Sequence, residues 1–294
     1  MSAPLFNKVA IIGIGLIGSS LARGIRREKL AKTIVAGDAS AAHCREAKQL
    51  KIVDSATTNL KSAVQDADLV ILAVPVGACG AVAKTIAPAL KAGAILTDVG
   101  SVKGAVINAV APHVPKGVHF IPGHPIAGTE HSGPGAGFAE LFHGRWAILT
   151  PGKGANKAAV KKLAELWRRC GSKVEIMDVK RHDRVLAITS HLPHLIAYTI
   201  VGTAADLETD TKGEVIKYSA GGFRDFTRIA GSDPTMWRDI FINNQEAVLD
   251  IAQRLTEDLT ALQKAIRRGD GQTLFDLFSR TRSIRKKVIE AKQA

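Results

Sequence analysis

His124 stands in Gly123-His124-Pro125, directly after a β-branched run, where backbone rather than helical packing sets its position. A neutral imidazole there, with an ordinary pKa near ~6.5, suits taking a proton at neutral pH. The alternative is a hydrogen-bonded loop histidine. Ser101 lies in Thr97-Asp98-Val99-Gly100-Ser101-Val102-Lys103, at the carboxyl end of another apolar run. That edge is where doubly wound sheets bind ligands, so Ser101 suits substrate contact, capping of the next helix, or both. Arg224 and Arg228 are four apart and can share a helix face, with Asp225 and Asp233 near enough to orient them. Guanidinium groups hold carboxylates in a bidentate fork, which suits an acidic substrate; an inter-domain salt bridge is the competing reading. His182, and the cluster Ser190-His191-Leu192-Pro193-His194, add further imidazoles. His191 and His194 have the spacing of a metal pair, but no Glu or Cys completes a zinc site, and no metal is expected. Glu130 and His131 follow His124 and fit a charged loop rim equally well.

A different kind of chemistry is written near the start. Val9-Ala10-Ile11-Ile12 runs into Gly13-Ile14-Gly15-Leu16-Ile17-Gly18, and a helix-compatible segment follows. Gly13 permits a tight turn, Gly15 lets the backbone approach a pyrophosphate, and Gly18 lets the helix pack on the strand. Leu16 and Ile17 open that helix and are assigned with the glycines to a dinucleotide. Val74 and Pro75, at the end of a later apolar run, are assigned likewise. Asp38 ends the second strand, where a carboxylate accepts from the ribose hydroxyls of NAD and repels the 2′-phosphate of NADP. Capping of the helix after it is the bland alternative. NAD is therefore the expected cofactor.

The elements that must position these groups fall into two halves. Up to residue 178 apolar strands alternate with helical segments, which predicts a Rossmann-type, doubly wound and mainly parallel sheet. From residue 179 to residue 294 the pattern is all-helical, with long stretches over 185–206, 235–267 and 272–292. Within the first half, 123–137 is rich in Gly, Pro and His and reads as a long functional loop. The helical half is short for a core of its own, so burial against a second copy is expected.

A net charge of +13 admits a nucleic-acid partner, yet no aromatic RNA-binding strand, zinc-finger spacing or helix-turn-helix signal accompanies it. Solvated helix faces explain most of the charge, and a basic field that draws in an anionic small molecule is a plausible addition. Neither nucleic acid nor membrane is expected as a partner. The start lacks a charged leader region, and no run reaches the ~18 uninterrupted apolar residues of a membrane span. Cys44, Cys79 and Cys170, odd in number and widely spaced, read as free thiols of a cytoplasmic protein.

At these islands the chain resembles the prephenate and arogenate dehydrogenases of tyrosine biosynthesis, in particular the bacterial cyclohexadienyl type. Gly-His-Pro-Ile-Ala-Gly-Thr-Glu-His-Ser-Gly and Gly-Phe-Arg-Asp-Phe-Thr-Arg carry the resemblance most specifically, and it runs from about residue 8 to about residue 285. The resemblance implies NAD-dependent oxidative decarboxylation of a small anionic cyclohexadienyl substrate in a cleft between a Rossmann-type domain and a helical dimerisation domain. It implies His124 as the catalytic histidine, Ser101 as its assistant and Arg228 as the carboxylate grip. It places Glu130, His182, Ser190 and His194 around the substrate, and it implies a homodimer. No fused mutase or appended regulatory domain is expected. Two other classes fit the residues less well: another two-domain NAD-dependent dehydrogenase of β-hydroxy acids, and a non-catalytic NAD-sensing regulator that binds nucleic acid.

Overall fold

The computed structural model describes residues 3–129, 131–206, 217–218 and 220–290. It separates into two compact units, Met1–Asn244 and Gln245–Ala294. The first unit opens with β1 (Phe6–Ile12), α1 (Leu16–Arg27), β2 (Ala31–Gly37), α2 (Ala41–Gln49), β3 (Ser55–Thr57), α3 (Leu60–Val64) and β4 (Leu69–Leu72). It continues through α4 (Cys79–Ile86), β5 (Ile95–Asp98), α5 (Lys103–Val110) and β6 (His119–Phe120). These six strands form one parallel sheet in the order β3-β2-β1-β4-β5-β6. The order reverses between β1 and β4, and ligands bind such sheets at the carboxyl ends beside that reversal.

Alternation along β1 divides the core. Val9 and Ile11 pack into one apolar cluster with Leu21, Phe142 and Trp167; Ala10 and Ile12 pack into another with Val70, Leu72, Trp237 and Ile240. Successive strand residues point to opposite faces, so a strand apolar throughout must be covered on both.

The strands expected to extend this sheet behave differently. β7 (Gly123–Pro125), β8 (Trp146–Leu149) and β9 (Lys173–Ile176) form a separate three-stranded sheet, with α6 (Lys157–Arg169) between the last two. β7 is antiparallel to β8, and β8 is parallel to β9. His124 thus sits in a short strand, paired opposite Ile148, rather than in a loop. Backbone pairing holds it more tightly than the Gly- and Pro-rich composition suggests.

Helix α7 (Val179–Leu186) follows, capped by Asp178, and leads through a π-helical turn, Ala187–His191, into α8 (Leu192–Asp206). Short π segments inside helices recur at functional sites. Among the described residues, Val179–Asp206 is the one helical run apolar and long enough to cross a membrane, and 22% of its most apolar window is buried within the chain. The same run carries His182, Asp183 and His191, which bond into the core of the first unit.

The helix expected over 235–267 is broken at Asn244. Pro234–Asn243 and Gln245–Arg267 are separate helices, and Asn244, with φ −116° and ψ 35°, spends its side chain on Asp183 O and the His191 ring. Asn competes for backbone and side-chain hydrogen bonds and so favours helix ends. The second unit comprises Gln245–Arg267 and Gly271–Glu290, packed on each other, with Asp270 accepting from Thr273 at the turn between them. Leu249, Leu259, Phe275, Phe278, Ile284 and Val288 are exposed there. Residues 291–294, the end of the stretch read as helix over 272–292, lie outside the described residues.

Candidate active site

The glycine turn divides its work as the spacing requires. Gly13 has φ +94°, and a Cβ there would lie 2.3 Å from Ala73 O and 3.1 Å from Val74 Cγ1. A Cβ on Gly18 would lie 2.0 Å from Gly13 O. These two positions are glycine for conformation and packing. Gly15 differs, because a Cβ there meets nothing within 4 Å. The open space in front of Gly15 adjoins the start of α1, where Ser19 donates the first helical hydrogen bond to Gly15 O at 2.9 Å. The amides of Leu16, Ile17 and Gly18 precede that bond and suit an anion.

Asp38 closes on the same turn. Its Oδ2 accepts from Ile14 N at 2.8 Å and its Oδ1 from Ser40 N at 2.8 Å, with His43 Nδ1 3.4 Å from Oδ1. The cap of α2 is Ser40, which accepts from His43 N. Asp38 is therefore held beside the glycine turn by main-chain amides, not employed as a helix cap. Half-buried Val74 adjoins Gly13, and Pro75 is exposed next to it. This arrangement fits a dinucleotide: an open phosphate cradle, with a carboxylate at the ribose position.

A chain of hydrogen bonds begins at His124, 8% exposed. Its Nδ1 lies 2.9 Å from His182 Nε2, and His182 Nδ1 lies 2.8 Å from Asp183 Oδ1. Asp183 also accepts from Lys103 N and Gly104 N, both at 2.8 Å, and so caps α5 from eighty residues away. Burial raises the Asp183 carboxyl, but the His182 bond and these two amides outweigh it and hold the group below its usual range. Asp183 is then an ionised acceptor, which fixes the tautomers. His182 carries its proton on Nδ1 and offers a lone pair at Nε2; His124 donates Nδ1–H to that lone pair; His124 Nε2 is left as the basic atom.

Burial, then His182, Lys103 and His191, drive the His124 imidazole well below its ordinary value. The expected unperturbed titration near 6.5 is thus corrected: a buried ring among cationic and imidazole neighbours resists a second proton. Burial also lowers His182, against the opposing pull of Asp183. His182, read from sequence as a substrate contact, is fully buried with both ring nitrogens occupied.

The third cluster gathers around Trp237. His194 stacks on it, with ring centroids 3.5 Å apart and 20° between planes, and bonds Ser190 O through Nδ1 at 2.9 Å. Burial lowers the His194 imidazole; the Ser190 carbonyl opposes, and the guanidinium of Arg228 adds to the lowering. Arg228 opens the turn Arg228–Gly231, and Tyr198 Oη donates to Ser232 O at 2.8 Å, tying that turn to α8. Arg224 lies in the helix Gly221–Thr227, and Arg228 opens the 3-10 turn that follows it directly. Arg224 is exposed beside Asp225 at 3.7 Å, and Asp233 caps the helix Pro234–Asn243.

Nor do His191 and His194 act as a pair. His191 is fully buried, accepts from Asn244 Nδ2 at 3.1 Å and is lowered to about 4, chiefly by burial. Ser101 is half-buried and does not cap α5, whose cap position is Val102 and whose amides go to Asp183. Glu130 lies outside the described residues. Sequence reasoning gave no role to Asp183, Trp237 or Asn244. The adjacency His182-Asp183 was the available signal for the first; the other two carried none before folding.

Two family profiles match the chain: "Prephenate dehydrogenase, nucleotide-binding domain" over residues 21–176, and "Prephenate dehydrogenase, dimerization domain" over residues 178–280. Cyclohexadienyl dehydrogenase of Zymomonas mobilis is 42% identical over 281 residues, 96% of this chain and 96% of that protein. The solved structure of prephenate dehydrogenase from A. aeolicus, in complex with hydroxyphenyl propionate and NAD+, superposes with a TM-score of 0.89. It is 35% identical and covers 96% of this chain and 98% of its own. Synechocystis arogenate dehydrogenase superposes with a TM-score of 0.80 at 28% identity, covering 95% of this chain and 99% of its own.

Proposed function

The chain belongs to the prephenate dehydrogenase family, and from that premise we propose how its residues carry out the NAD-dependent oxidative decarboxylation of a cyclohexadienyl acid. Prephenate yields 4-hydroxyphenylpyruvate by this route, and arogenate yields tyrosine. NAD, bound at the glycine turn, supplies the hydride acceptor. The substrate ring carries a secondary alcohol and, opposite it, a quaternary carbon bearing a carboxylate. His124 Nε2 takes the hydroxyl proton as hydride leaves the same carbon; the carboxylate departs as carbon dioxide, and its bonding pair completes the aromatic ring. His182 receives the His124 Nδ1–H bond, and Asp183 stabilises positive charge that builds on the imidazoles.

Ser101, on the turn before α5, assists at the hydroxyl. Arg228 holds a substrate carboxylate, with His194 and Ser190 on the same side; Glu130, outside the described residues, is a further candidate contact. The enzyme's contribution is mainly positioning. One observation carries this reading: the Asp183–His182–His124 chain, whose bonding leaves Nε2 basic.

Division of labour is proposed at residue 178, with the dinucleotide on 1–178 and substrate and subunit contact on 179–294; profiles over 21–176 and 178–280 support it. The partner is a second copy of the chain. Exposed apolar residues on Gln245–Arg267 and Gly271–Glu290 support it, and sedimentation on dilution tests it: a fully active monomer would refute the dimer. Three buried free thiols support a cytoplasmic setting.

NADH absorbance decides the reaction itself. With NAD, the protein should reduce cofactor on prephenate, arogenate or both, releasing carbon dioxide in equal amount. Silence with both acids overturns the reading.

A further inference from the structure

Behind His124 lies an ion pair that the hydrogen-bond chain does not use. Lys103 begins α5 and Asp98 ends β5, and both side chains are fully buried. Lys103 Nζ pairs with Asp98 Oδ2 and donates to Gly123 O at 2.6 Å. Asp98 Oδ1 accepts from Gly123 N at 3.2 Å, and Oδ2 accepts from Gly100 N at 2.8 Å. Both polar backbone groups of the residue before His124 therefore end on one ion pair. The pair also braces the turn that carries Ser101. A buried ion pair is poor evidence for stability, because desolvating two charges consumes most of the attraction and apolar side chains of similar volume often serve as well.

We infer that Lys103, together with Asp98, positions His124 for proton transfer, the pair holding the Gly123 backbone from both sides. The inference rests on the reading of His124 as the base. The groups that bear on His124 are Lys103 of α5, His182 of α7 and His191 of the π turn, with Asp183 and Asp98 acting at His182. Lys103 disfavours a cation on both His124 and His182. As a positioning residue it needs no contact with the reacting atoms.

Two variants of the full chain test this: Lys103→Met, and Lys103→Met combined with Asp98→Asn, which avoids an unpaired buried carboxylate. The first readout is the ¹⁵N titration of the His124 ring without substrate. The second is kcat and KM against pH with NAD. The His124 midpoint should rise by about half a pH unit or more. Turnover should fall about tenfold or more while KM for NAD stays within about twofold, the pattern of a displaced base. A folded double variant with the wild-type His124 midpoint and wild-type kcat overturns the inference. So does failure of both variants to fold, which would make the pair a requirement of the fold alone. The ring titration needs no turnover; an inactive wild type would sink the reaction and leave this inference to stand or fall by itself.

Discussion

At the cofactor end of this site the working groups are main-chain amides and absent side chains. Around His124 they are imidazoles, carboxylates and an ammonium, drawn from positions spread between Asp98 and His191. Gly13, Gly15 and Gly18 do their work within six residues, and Asp38 reaches them across one parallel strand pair, with Gly13 N donating to Gly37 O at 2.7 Å. His124 depends on β7, α7, α5 and the π turn at once. The glycine turn is mostly local, closed by Asp38 at the end of the neighbouring strand and by Ala73 and Val74 packed against Gly13. The surroundings of His124 have electrostatics that belong to no single element, because in a buried setting each neighbour's charge is felt strongly.

The largest test of this contrast is His124→Asn. Turnover should fall about 10²–10⁴-fold with NAD affinity unchanged; a variant with near-normal kcat removes His124 from the chemistry. For the unaltered chain the pH profile sharpens the point. A base lowered well below 6.5 stays neutral as pH falls through 6.5, so kcat/KM should hold level there and decline only at more acid pH. A midpoint at 6.5 would show the ring to be solvated.

Arg228→Ala comes next. Loss of a charge-assisted carboxylate pair should cost about 2–4 kcal/mol, seen as a rise in substrate KM more than a fall in kcat. Arg224→Ala should do less, since Arg224 is exposed beside Asp225; a larger effect at Arg224 would exchange their roles.

Stability should register the buried imidazoles too. His191 is lowered to about 4 in the folded chain and titrates near ~6.5 when unfolded. The unfolded chain therefore binds more protons between those values, and folding free energy is full above pH 6.5 and lost as pH falls toward 4. This one group contributes a loss on the order of 3 kcal/mol. Urea midpoints that stay flat across that window would contradict the buried neutral ring.

The smallest expected effect is at the cofactor end. Asp38→Ala should weaken NAD by about 1–3 kcal/mol and narrow its advantage over NADP, leaving the acid limb of the pH profile in place. Equal use of both cofactors by the wild type would break the assignment. A shifted acid limb would show that the two ends are not separate.

The parallel sheet, the glycine turn and its acidic partner were legible from residue types and spacing, because an apolar strand flanked by helices and a glycine free to take positive φ are written locally. The sequence also marked His124, Arg228, His182 and His194 as chemical. The environment of each came from the packing: His124 lies in β7 instead of a loop, His182 is buried against it, Arg228 opens the turn after the helix of Arg224, and a helix breaks at Asn244. Asp183, caught between His182 and the amides of α5, has a role that no spacing announces. Tautomer, burial and charge environment are set by which elements pack together. A histidine's protonation is therefore a property of the fold, while a glycine's freedom is a property of the residue.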